Sequence, residues 1–425
     1  MVVGTIIGAS IFVQPSMVTG AVPSVIGIIT VWLLAGLLTL GGSLITAELA
    51  SAFPVTGGVY VYLTRAFSPA VGFVWGWAMF WTMHTGIIAV IAMVFARYLG
   101  VLVPLSDAGL RFVAAGAVVV LSAVNYIGVK QGSGLQTALT AAKVLVIAGV
   151  VVVAFALGPD VPVPKAAASA VSSRNFLLAI AAGLFAFGGW HMVTYAAGET
   201  IQPQRTIPRA LIAGVAIVTA CYVLLNTAYL HVLPLARVAG STRVAADAAD
   251  AVIGRGGAVL MAVLVVVSTF GALSGIVLAG PRAYLAMAND GLIFRRLGDV
   301  HPRYQTPHRA IVLQAVWACV LVGTGTYNVL VARVVYTEWI FFALMGIGLL
   351  LLRRRGGFAP AFRAPLGAVL PIAFAAAAML VAVNQIVASP LDSLTGLVFV
   401  LTGWPAYRIW VRHSTTSNPL VADGD

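Results

Sequence analysis

The chain has 425 residues, of which 61% are hydrophobic and only 8% are charged. An ordinary soluble domain is about half apolar and about a quarter charged, so this composition supplies too few charges for a water-soluble surface of this size. Soluble enzymes, nucleic-acid-binding proteins and disordered scaffolds are therefore excluded, and the sequence predicts a polytopic membrane protein. The net charge of +12 is then expected from basic residues in cytoplasmic loops.

A helix that crosses the hydrocarbon core of a bilayer needs about 20 apolar residues. Twelve continuous apolar segments of about that length follow one another, which predicts an all-α membrane protein with twelve transmembrane helices. The predicted spans are 1–20, 24–51, 70–99, 110–128, 134–158, 176–200, 208–232, 256–287, 309–325, 330–352, 366–388 and 391–412. The first span begins at Met1 without a polar leader, so we expect a start further upstream or an unusually short opening half-helix.

The basic residues indicate the orientation of these spans. With the N-terminus in the cytoplasm, 15 of the 24 Lys and Arg residues fall on the cytoplasmic side, eight on the other side, and Lys143 within a span. Positive charge favours the cytoplasmic side, so the sequence predicts a multi-pass plasma membrane protein with both termini inside and a cytoplasmic tail at 413–425. The Arg353-Arg354-Arg355 cluster is interpreted as an orientation signal that contacts anionic lipid.

Glycines interrupt the first and the sixth span, at Gly4 and Gly8 and at Gly188 and Gly189. Paired interruptions in two halves of a chain are typical of transporters with an inverted repeat. Unwound backbone at membrane depth is tolerated only where it lines a cavity or meets a ligand. The alternative is that these glycines only allow close helix packing. Their pairing, together with polar neighbours such as His191, favours a binding site.

The chemistry of such a pair suits an amino-acid zwitterion. Helix N-terminal N–H groups stabilise a carboxylate, and exposed carbonyl oxygens accept hydrogen bonds from an ammonium group. No buried charged side chain is then required to hold either end of the molecule.

Ten motifs in chain order resemble one known family. They begin with VGTIIGASIF at 3–12 and AELASAFP at 47–54, and the sixth span contributes FAFGGW at 185–190. The others lie at 57–60, 198–199, 203–210, 268–272, 280–282, 289–291 and 352–355. Over nearly its whole length the chain resembles the amino acid–polyamine–organocation superfamily, and within it the L-amino acid transporter branch.

This resemblance implies a five-plus-five inverted repeat with helices 1 and 6 broken. The first repeat would span 1–158 and the second 176–352, followed by two peripheral helices at 366–412. It also implies that the broken helices hold the backbone of the substrate.

Carried over position by position, the resemblance assigns roles to individual residues. Ile7, Gly8, Ala9 and Ser10 would face the substrate carboxylate, carbonyl groups of Phe185, Ala186 and Gly188 would accept from its amine, and Phe187 would act as a gate. The order Gly8-Ala9-Ser10 departs from the Gly-Ser-Gly pattern common in the family and moves the hydroxyl by one position. His191 stands where relatives often have Asn.

Lys143 lies deep in the fifth span, where an amine is energetically costly and is a functional candidate. Snorkelling to the membrane interface is the alternative, but about ten residues separate Lys143 from the loop near Gly132. Relatives that work without sodium have a lysine here. The resemblance therefore implies that its ammonium group replaces a sodium ion, contacts carbonyls near Gly4 and Ile7, and couples substrate binding to gating.

The remaining ionisable residues give weaker signals. Glu48 and Glu199 lie near the cytoplasmic ends of their spans and form either an inner gate or a stabilising network, with Arg65, Arg205, Arg209 and Arg282 as the expected partners. His191 is a candidate pH sensor or an ordinary hydrogen-bonding residue, and His84 is a weaker candidate. His and carboxylate residues lack metal-ligand spacing, so we expect no metal and no cofactor.

The sequence as a whole predicts a secondary transporter of amino acids that works by alternating access. The apolar candidates Ile7, Phe185, Phe187 and Trp190 include no carboxylate and favour neutral L-amino acids, with a cationic amino acid or polyamine exchanger as the alternative. A membrane-embedded enzyme or a channel is disfavoured, because no nucleophile–base set and no pore loop is evident. Exchange and proton symport both remain open.

The expected partners are the amino acid substrate and membrane lipid, not nucleic acid. Some relatives bond to a single-pass subunit through a loop cysteine after the third helix. The loop 100–109 contains no cysteine, so we expect no disulfide-linked subunit.

Overall fold

The computed structural model describes the backbone of residues 1–8, 10–128, 132–159, 171–324 and 327–414. Throughout these residues the regular structure is helical, so the predicted all-α fold is confirmed. The first half contains α1 (Val2–Ile6), α2 (Gln14–Ala21), α3 (Val25–Ala52), α4 (Val59–Ala66), α5 (Pro69–Ala78), α6 (His84–Leu102), α7 (Asp107–Ile127) and α8 (Gly132–Leu157). The second half contains α9 (Ser173–Ala186), α10 (Pro203–Val232), α11 (Leu235–Gly240), α12 (Val244–Ile253), α13 (Gly257–Asn289), α14 (His308–Thr324), α15 (Tyr327–Arg354), α16 (Val369–Ala388), α17 (Pro390–Leu401) and α18 (Gly403–Ser414).

Nine helical stretches in the described part of the chain are long and apolar enough to cross a membrane. They agree with predicted spans to within a few residues, as α3 does with 24–51 and α13 with 256–287. Helix α14 is a shorter apolar helix at the predicted ninth span. The first span is divided into α1, a 3₁₀ turn and α2, and the last is divided into α17 and α18.

Eight of the helices pack as two groups around the broken spans. In one group, α10 contacts α1 and α3, and α3 also contacts α9; in a second group, α6, α7, α13 and α14 all contact one another. Small residues allow close approach within the first group: a Cβ atom added to Gly36 of α3 would lie 2.5 Å from Thr219 of α10. The two groups meet where α1 and α13 are in contact, and the site described below lies there.

Several short elements were not predicted. Helices α4, α11 and α12 are too short to span a membrane, and the third span contains a π-helical segment at Met79–Met83. Helix α4 begins after Gly58, whose φ of 55° is left-handed and whose added Cβ would lie 2.3 Å from the Tyr195 ring. Only glycine fits this turn without strain, so the Gly57-Gly58 motif holds α4 against the segment that contains Tyr195.

Candidate functional site

The first span is broken directly after α1. Ile7 leaves the helical region with φ −70° and ψ 85°, and the Gly8 N–H bonds the Ile6 carbonyl oxygen, two residues back, at 2.7 Å. A 3₁₀ turn at Ser10–Phe12 then leads into α2. The predicted interruption is therefore confirmed. Ala9, predicted to face the substrate, lies outside the described residues.

The sixth span is broken directly after α9. The Gly188 N–H bonds the Phe185 carbonyl oxygen at 3.0 Å, and Gly189 takes a left-handed conformation with φ 93°. A 3₁₀ helix at Trp190–Glu199 continues the span. Glycine permits this sharp turn, so the second predicted interruption is also confirmed.

The two breaks contact each other. The Thr5 hydroxyl lies 3.4 Å from the Gly189 carbonyl oxygen, and a Cβ added to Gly189 would lie 3.2 Å from the Thr5 carbonyl oxygen. The buried Tyr222 hydroxyl of α10 lies 3.0 Å from the Ile6 carbonyl oxygen and 2.9 Å from that of Ala186. The hydroxyl has one proton, so it can donate a hydrogen bond to either of these carbonyl oxygens. Tyr222 thus joins the ends of α1 and α9, a role that nothing in its local sequence indicated.

Lys143 of α8 lies against the end of α1. Its side chain is buried, and its Nζ atom lies 3.4 Å from the Gly4 carbonyl oxygen and 3.3 Å from that of Ile7. The last carbonyl groups of a helix have no partner within the helix and carry partial negative charge. The ammonium group satisfies these carbonyls, and the contacts predicted for Lys143 are confirmed.

A cavity of about 20 Å³ lies between the two breaks, which is room for about one water molecule. The structure therefore shows the site closed. The broken segments contribute Thr5, Ile6, Gly8, Ser10, Phe185, Gly188, Gly189 and Met192. The other lining residues are Ile87 and Ile91 of α6, Ile276 of α13 and Glu338 of α15.

Of the predicted binding residues, the structure brings Gly8, Ser10, Phe185 and Gly188 to this cavity, whereas Ile7, Ala186, Phe187 and His191 do not line it. The Phe187 ring packs inside the first helix group, with its centroid 5.0 Å from that of Tyr222. In this closed conformation it does not cover the cavity as a gate would.

His191 lies among aromatic rings beside the cavity. Its ring centroid is 5.1 Å from that of Phe342 and 6.2 Å from that of Trp75. Its Nδ1 atom is buried and has no hydrogen-bond partner among the described residues. His84 of α6 contacts the cavity wall, because its Nε2 atom lies 2.8 Å from the Ile276 carbonyl oxygen.

Glu338 is a pocket-facing carboxylate that the sequence did not predict, because no carboxylate was found among the candidate pocket residues. It lies within α15, is only 6% exposed, and lines the cavity. None of the ten sequence motifs includes Glu338. The signal available in the sequence was an acidic residue inside an apolar span, the same signal that drew attention to Lys143.

Glu48 and Glu199, the two carboxylates predicted as a gate or a stabilising network, both form ion pairs. The fully buried Glu48 binds Arg353, whose Nε atom lies 2.8 Å from Oε1, and it also accepts the Ala364 N–H at 2.8 Å. Arg353 was not among the expected partners. The sequence indicated Arg353 only as part of an orientation signal, whereas in the structure it joins the end of α15 to α3. Glu199 binds Arg282 as expected, with two hydrogen bonds of 2.8 and 3.0 Å.

A larger cavity of about 2150 Å³ lies toward the end of the molecule where these ion pairs are found, and Glu199 lines it. Tyr60 and Asp290 also line it, with the Tyr60 hydroxyl 2.5 Å from the Asp290 carboxylate. Burial and this carboxylate raise the pKa of the Tyr60 phenol above its usual range. Within the described residues, no group of three His, Cys, Asp or Glu side chains is placed to hold a metal ion.

A membrane protein with two helices broken around one closed cavity has the architecture of a secondary transporter. The family described as "Amino acid permease" matches residues 1–404, so the chain belongs to this family. The resemblance drawn from the motifs is thus confirmed. The family consists of transporters, and the protein is not an enzyme.

Three characterised proteins are similar over nearly all of the chain. The serine/threonine exchanger SteT of Bacillus subtilis is 31% identical over 96% of this chain and 94% of its own length. The human b(0,+)-type amino acid transporter 1 is 28% identical over 97% of this chain and 86% of its own. The human cystine/glutamate transporter is 28% identical over 97% of this chain and 83% of its own.

Proposed function

We propose that this protein is a secondary transporter of neutral L-amino acids that works by alternating access and does not require sodium. One observation carries the proposal. The broken ends of α1 and α9 meet around a single cavity, and the Lys143 ammonium group is held against α1. Amino acid transport itself agrees with the family and with the relatives described above.

The broken helices would hold the substrate backbone when the cavity opens. The carboxylate would bind at the start of the 3₁₀ turn near Gly8 and Ser10, and the amine would bind carbonyls at the end of α9. In the closed structure the Phe185 and Ala186 carbonyls accept hydrogen bonds from Gly188 and Tyr222. A carbonyl oxygen has two lone pairs, so each can still accept a bond from an amine.

Sodium independence is supported by the position of Lys143. A cation bound at the end of α1 would use the carbonyl groups of Gly4 and Ile7, and the ammonium group occupies that position. A second cation there would be repelled at close range. The site therefore needs no ion from solution to satisfy these carbonyls.

The apolar walls of the cavity support a neutral substrate. Ile87, Ile91, Ile276 and Phe185 surround the space between the breaks. The one observation that favours the alternative, a cationic amino acid or polyamine exchanger, is the carboxylate of Glu338. A panel of neutral and cationic substrates decides between the two.

We also propose that the protein lies in the plasma membrane with both termini in the cytoplasm, in contact with lipid and without a disulfide-linked subunit. The excess of basic residues on one side supports the orientation. The only cysteines, Cys221 and Cys319, are half-buried within α10 and α14, far in sequence from the loop that would carry such a bond.

The test is transport by the purified full chain in proteoliposomes. We expect uptake of labelled neutral L-amino acids into vesicles preloaded with unlabelled amino acid, at the same rate in sodium and in choline buffer. Uptake that collapses without sodium would overturn the role of Lys143. Absence of amino acid transport in both buffers would overturn the proposed function itself.

A further inference from the structure

The larger cavity of about 2150 Å³ is a groove along one face of α5 and of the π-helical segment that follows it. Residues that line it there recur every four positions, at Pro69, Phe73, Trp77 and Trp81. Trp81 lies twelve positions after Pro69, which is about 18 Å along a helix. One leaflet of a bilayer has about 15 Å of hydrocarbon, so the groove is about as long as the acyl region of one leaflet.

The groove is open to the surface that faces the hydrocarbon of the bilayer. Leu313 and Val316 of α14 line it, and they are 42% and 59% exposed. Helix α14 is the apolar helix at the predicted ninth span, so its exposed apolar residues are surrounded by lipid chains. Ile409 of α18 also lines the groove and is 59% exposed. An acyl chain therefore has access to the groove from the bilayer.

The tryptophans in the wall of the groove present apolar surface. The indole N–H of Trp77 bonds the Phe399 carbonyl oxygen at 2.9 Å, and that of Trp317 bonds the Trp81 carbonyl oxygen at 3.1 Å. Because these donors are already used, the rings offer no hydrogen bond to water in the groove. Water gains little from such a wall, whereas an acyl chain is stabilised by it.

Positive charge lies at the end of the groove where α5 begins. Arg65 of α4 and Arg295 of the 3₁₀ turn after α13 both line the groove and are exposed. The hydrogen bond between Tyr60 and Asp290 holds α4 beside the end of α13, so the two arginines belong to the same end. Neither arginine forms an ion pair with any of the described residues.

The carboxylates at this end do not cancel that charge. Glu199 lines the groove but is paired with Arg282, and Asp290 is the other carboxylate in the described lining. Two arginines against one carboxylate leave the groove with a net positive charge at this end. Guanidinium groups bind phosphate oxygens with two parallel hydrogen bonds, so a phosphate group is the anion that fits best.

We propose that this groove is a binding site for one anionic phospholipid, with its phosphate at Arg65 and Arg295 and an acyl chain along α5 as far as Trp81. A free phosphate ion would use the arginines and leave the apolar wall in contact with water. A lipid without net charge would leave the positive charge of the groove unbalanced. The anionic phospholipid satisfies both ends, and the site is independent of the proposed transport.

The first experiment compares two lipids on the wild-type full chain, so it does not depend on the folding of any variant. The purified protein is stripped of lipid by detergent exchange and titrated with phosphatidylglycerol or with zwitterionic phosphatidylcholine, and bound lipids are counted by native mass spectrometry. We expect one phosphatidylglycerol per chain, bound at least about fivefold more tightly than phosphatidylcholine, because one basic residue near a membrane surface contributes about that factor.

Variants locate the headgroup. Arg295→Gln and Arg65→Gln should each weaken the binding of phosphatidylglycerol about fivefold, for the same reason. Arg296→Gln is the matched control, because Arg296 is the exposed neighbour of Arg295 and does not line the groove. Unchanged melting temperatures would show that the three variants are folded.

A second measurement locates the acyl chain. Phosphatidylglycerol brominated near its chain ends is added to the protein in phosphatidylcholine nanodiscs, and we expect it to quench tryptophan fluorescence more than brominated phosphatidylcholine at the same fraction. Val316→Phe narrows the groove and should reduce this difference. Val312→Phe is the matched control, because Val312 is 51% exposed on the same helix and does not line the groove.

Four outcomes would overturn the proposal. The first is equal binding of the two lipids, and the second is an equal effect of Arg295→Gln and Arg296→Gln. The third is displacement of the lipid by inorganic phosphate at equal concentration, which would make the arginines a site for a free anion. The fourth is a dimer that Val316→Phe disrupts, which would make a second copy of the chain the occupant. None of these measurements uses amino acid uptake, so the lipid site and the proposed transport are tested separately.

Discussion

At the scale of single residues, the side chains of Lys143 and Tyr222 contact backbone carbonyl groups at the ends of the broken helices. The Lys143 ammonium group satisfies carbonyls at the end of α1, and the Tyr222 hydroxyl lies within hydrogen-bond distance of one carbonyl at the end of α1 and one at the end of α9 and can donate to either. Buried carbonyl groups without partners are unfavourable at membrane depth. The two side chains therefore stabilise the closed arrangement.

Lys143→Met removes the charge and keeps most of the volume. Hydrogen bonds to charged groups contribute about 1.5–3 kcal/mol, so we expect uptake to fall about 10-fold to 100-fold and added sodium not to restore it. Initial uptake rates in proteoliposomes measure this. Leu145→Met changes an exposed residue on the same helix and should have no effect. Wild-type uptake by Lys143→Met would show that the ammonium group is dispensable.

Tyr222→Phe removes one hydroxyl group. Loss of a neutral hydrogen bond costs about 1 kcal/mol, so we expect uptake to fall about 5-fold and the closed state to be less populated. Tyr229→Phe is the matched control, because Tyr229 is buried two turns further along α10 and its hydroxyl has no hydrogen-bond partner among the described residues. Equal effects of the two substitutions would argue against a specific role for Tyr222.

At the scale of elements, the break after α9 depends on a residue without a side chain. Gly189→Ala forces a Cβ into a left-handed conformation at a cost of about 1–2 kcal/mol and brings it to 3.2 Å from the Thr5 carbonyl oxygen. We expect lower transport at normal expression, measured as uptake per purified protein. Gly116→Ala in α7, where the added Cβ has nothing within 4 Å, should transport normally. Normal transport by Gly189→Ala would mean that the break tolerates a different geometry.

The two ion pairs between elements should differ in strength. Glu48→Gln leaves Arg353 without its buried partner, which typically costs about 3–5 kcal/mol, whereas the Glu199 side chain is 58% exposed and exposed pairs contribute at most about 1 kcal/mol. We therefore expect Glu48→Gln to lower the melting temperature of the detergent-purified protein clearly and Glu199→Gln to change it little. A larger fall in melting temperature for Glu199→Gln than for Glu48→Gln would show that burial does not determine how much these ion pairs stabilise the protein.

At the scale of the whole molecule, the features predicted correctly from the sequence are those that depend on neighbouring residues in the chain. Apolar length located the spans, and glycine pairs located both breaks. Tyr222 could not be found in this way, because it acts through carbonyl groups brought together only in the fold. The Glu48–Arg353 pair joins residues 305 positions apart, and no local pattern specifies that distance. Glu338, like Lys143, is an ionisable residue inside an apolar span, so the sequence could have indicated it. Its contact with the cavity could not be predicted, because that contact depends on how α15 packs.

The orientation of the whole molecule stays a prediction from charge, and it can be tested directly. Basic residues favour the cytoplasmic side because loops rich in Lys and Arg are translocated poorly. The loop with Arg353, Arg354 and Arg355 should therefore be inside and the loop after α11 outside. Gly356 and Gly240 are matched probes of these two loops, because an added Cβ has nothing within 4 Å at either position.

In a background with Cys221 and Cys319 replaced by Ser, Gly240→Cys should react with a membrane-impermeant maleimide in intact cells. Gly356→Cys should react only after the membrane is permeabilised. Equal amino acid uptake by both variants would show that labelling reports on folded protein. Labelling of Gly356→Cys in intact cells, with protection of Gly240→Cys, would invert the molecule. The ion pairs of Glu48 and Glu199 and the larger cavity would then face the outside.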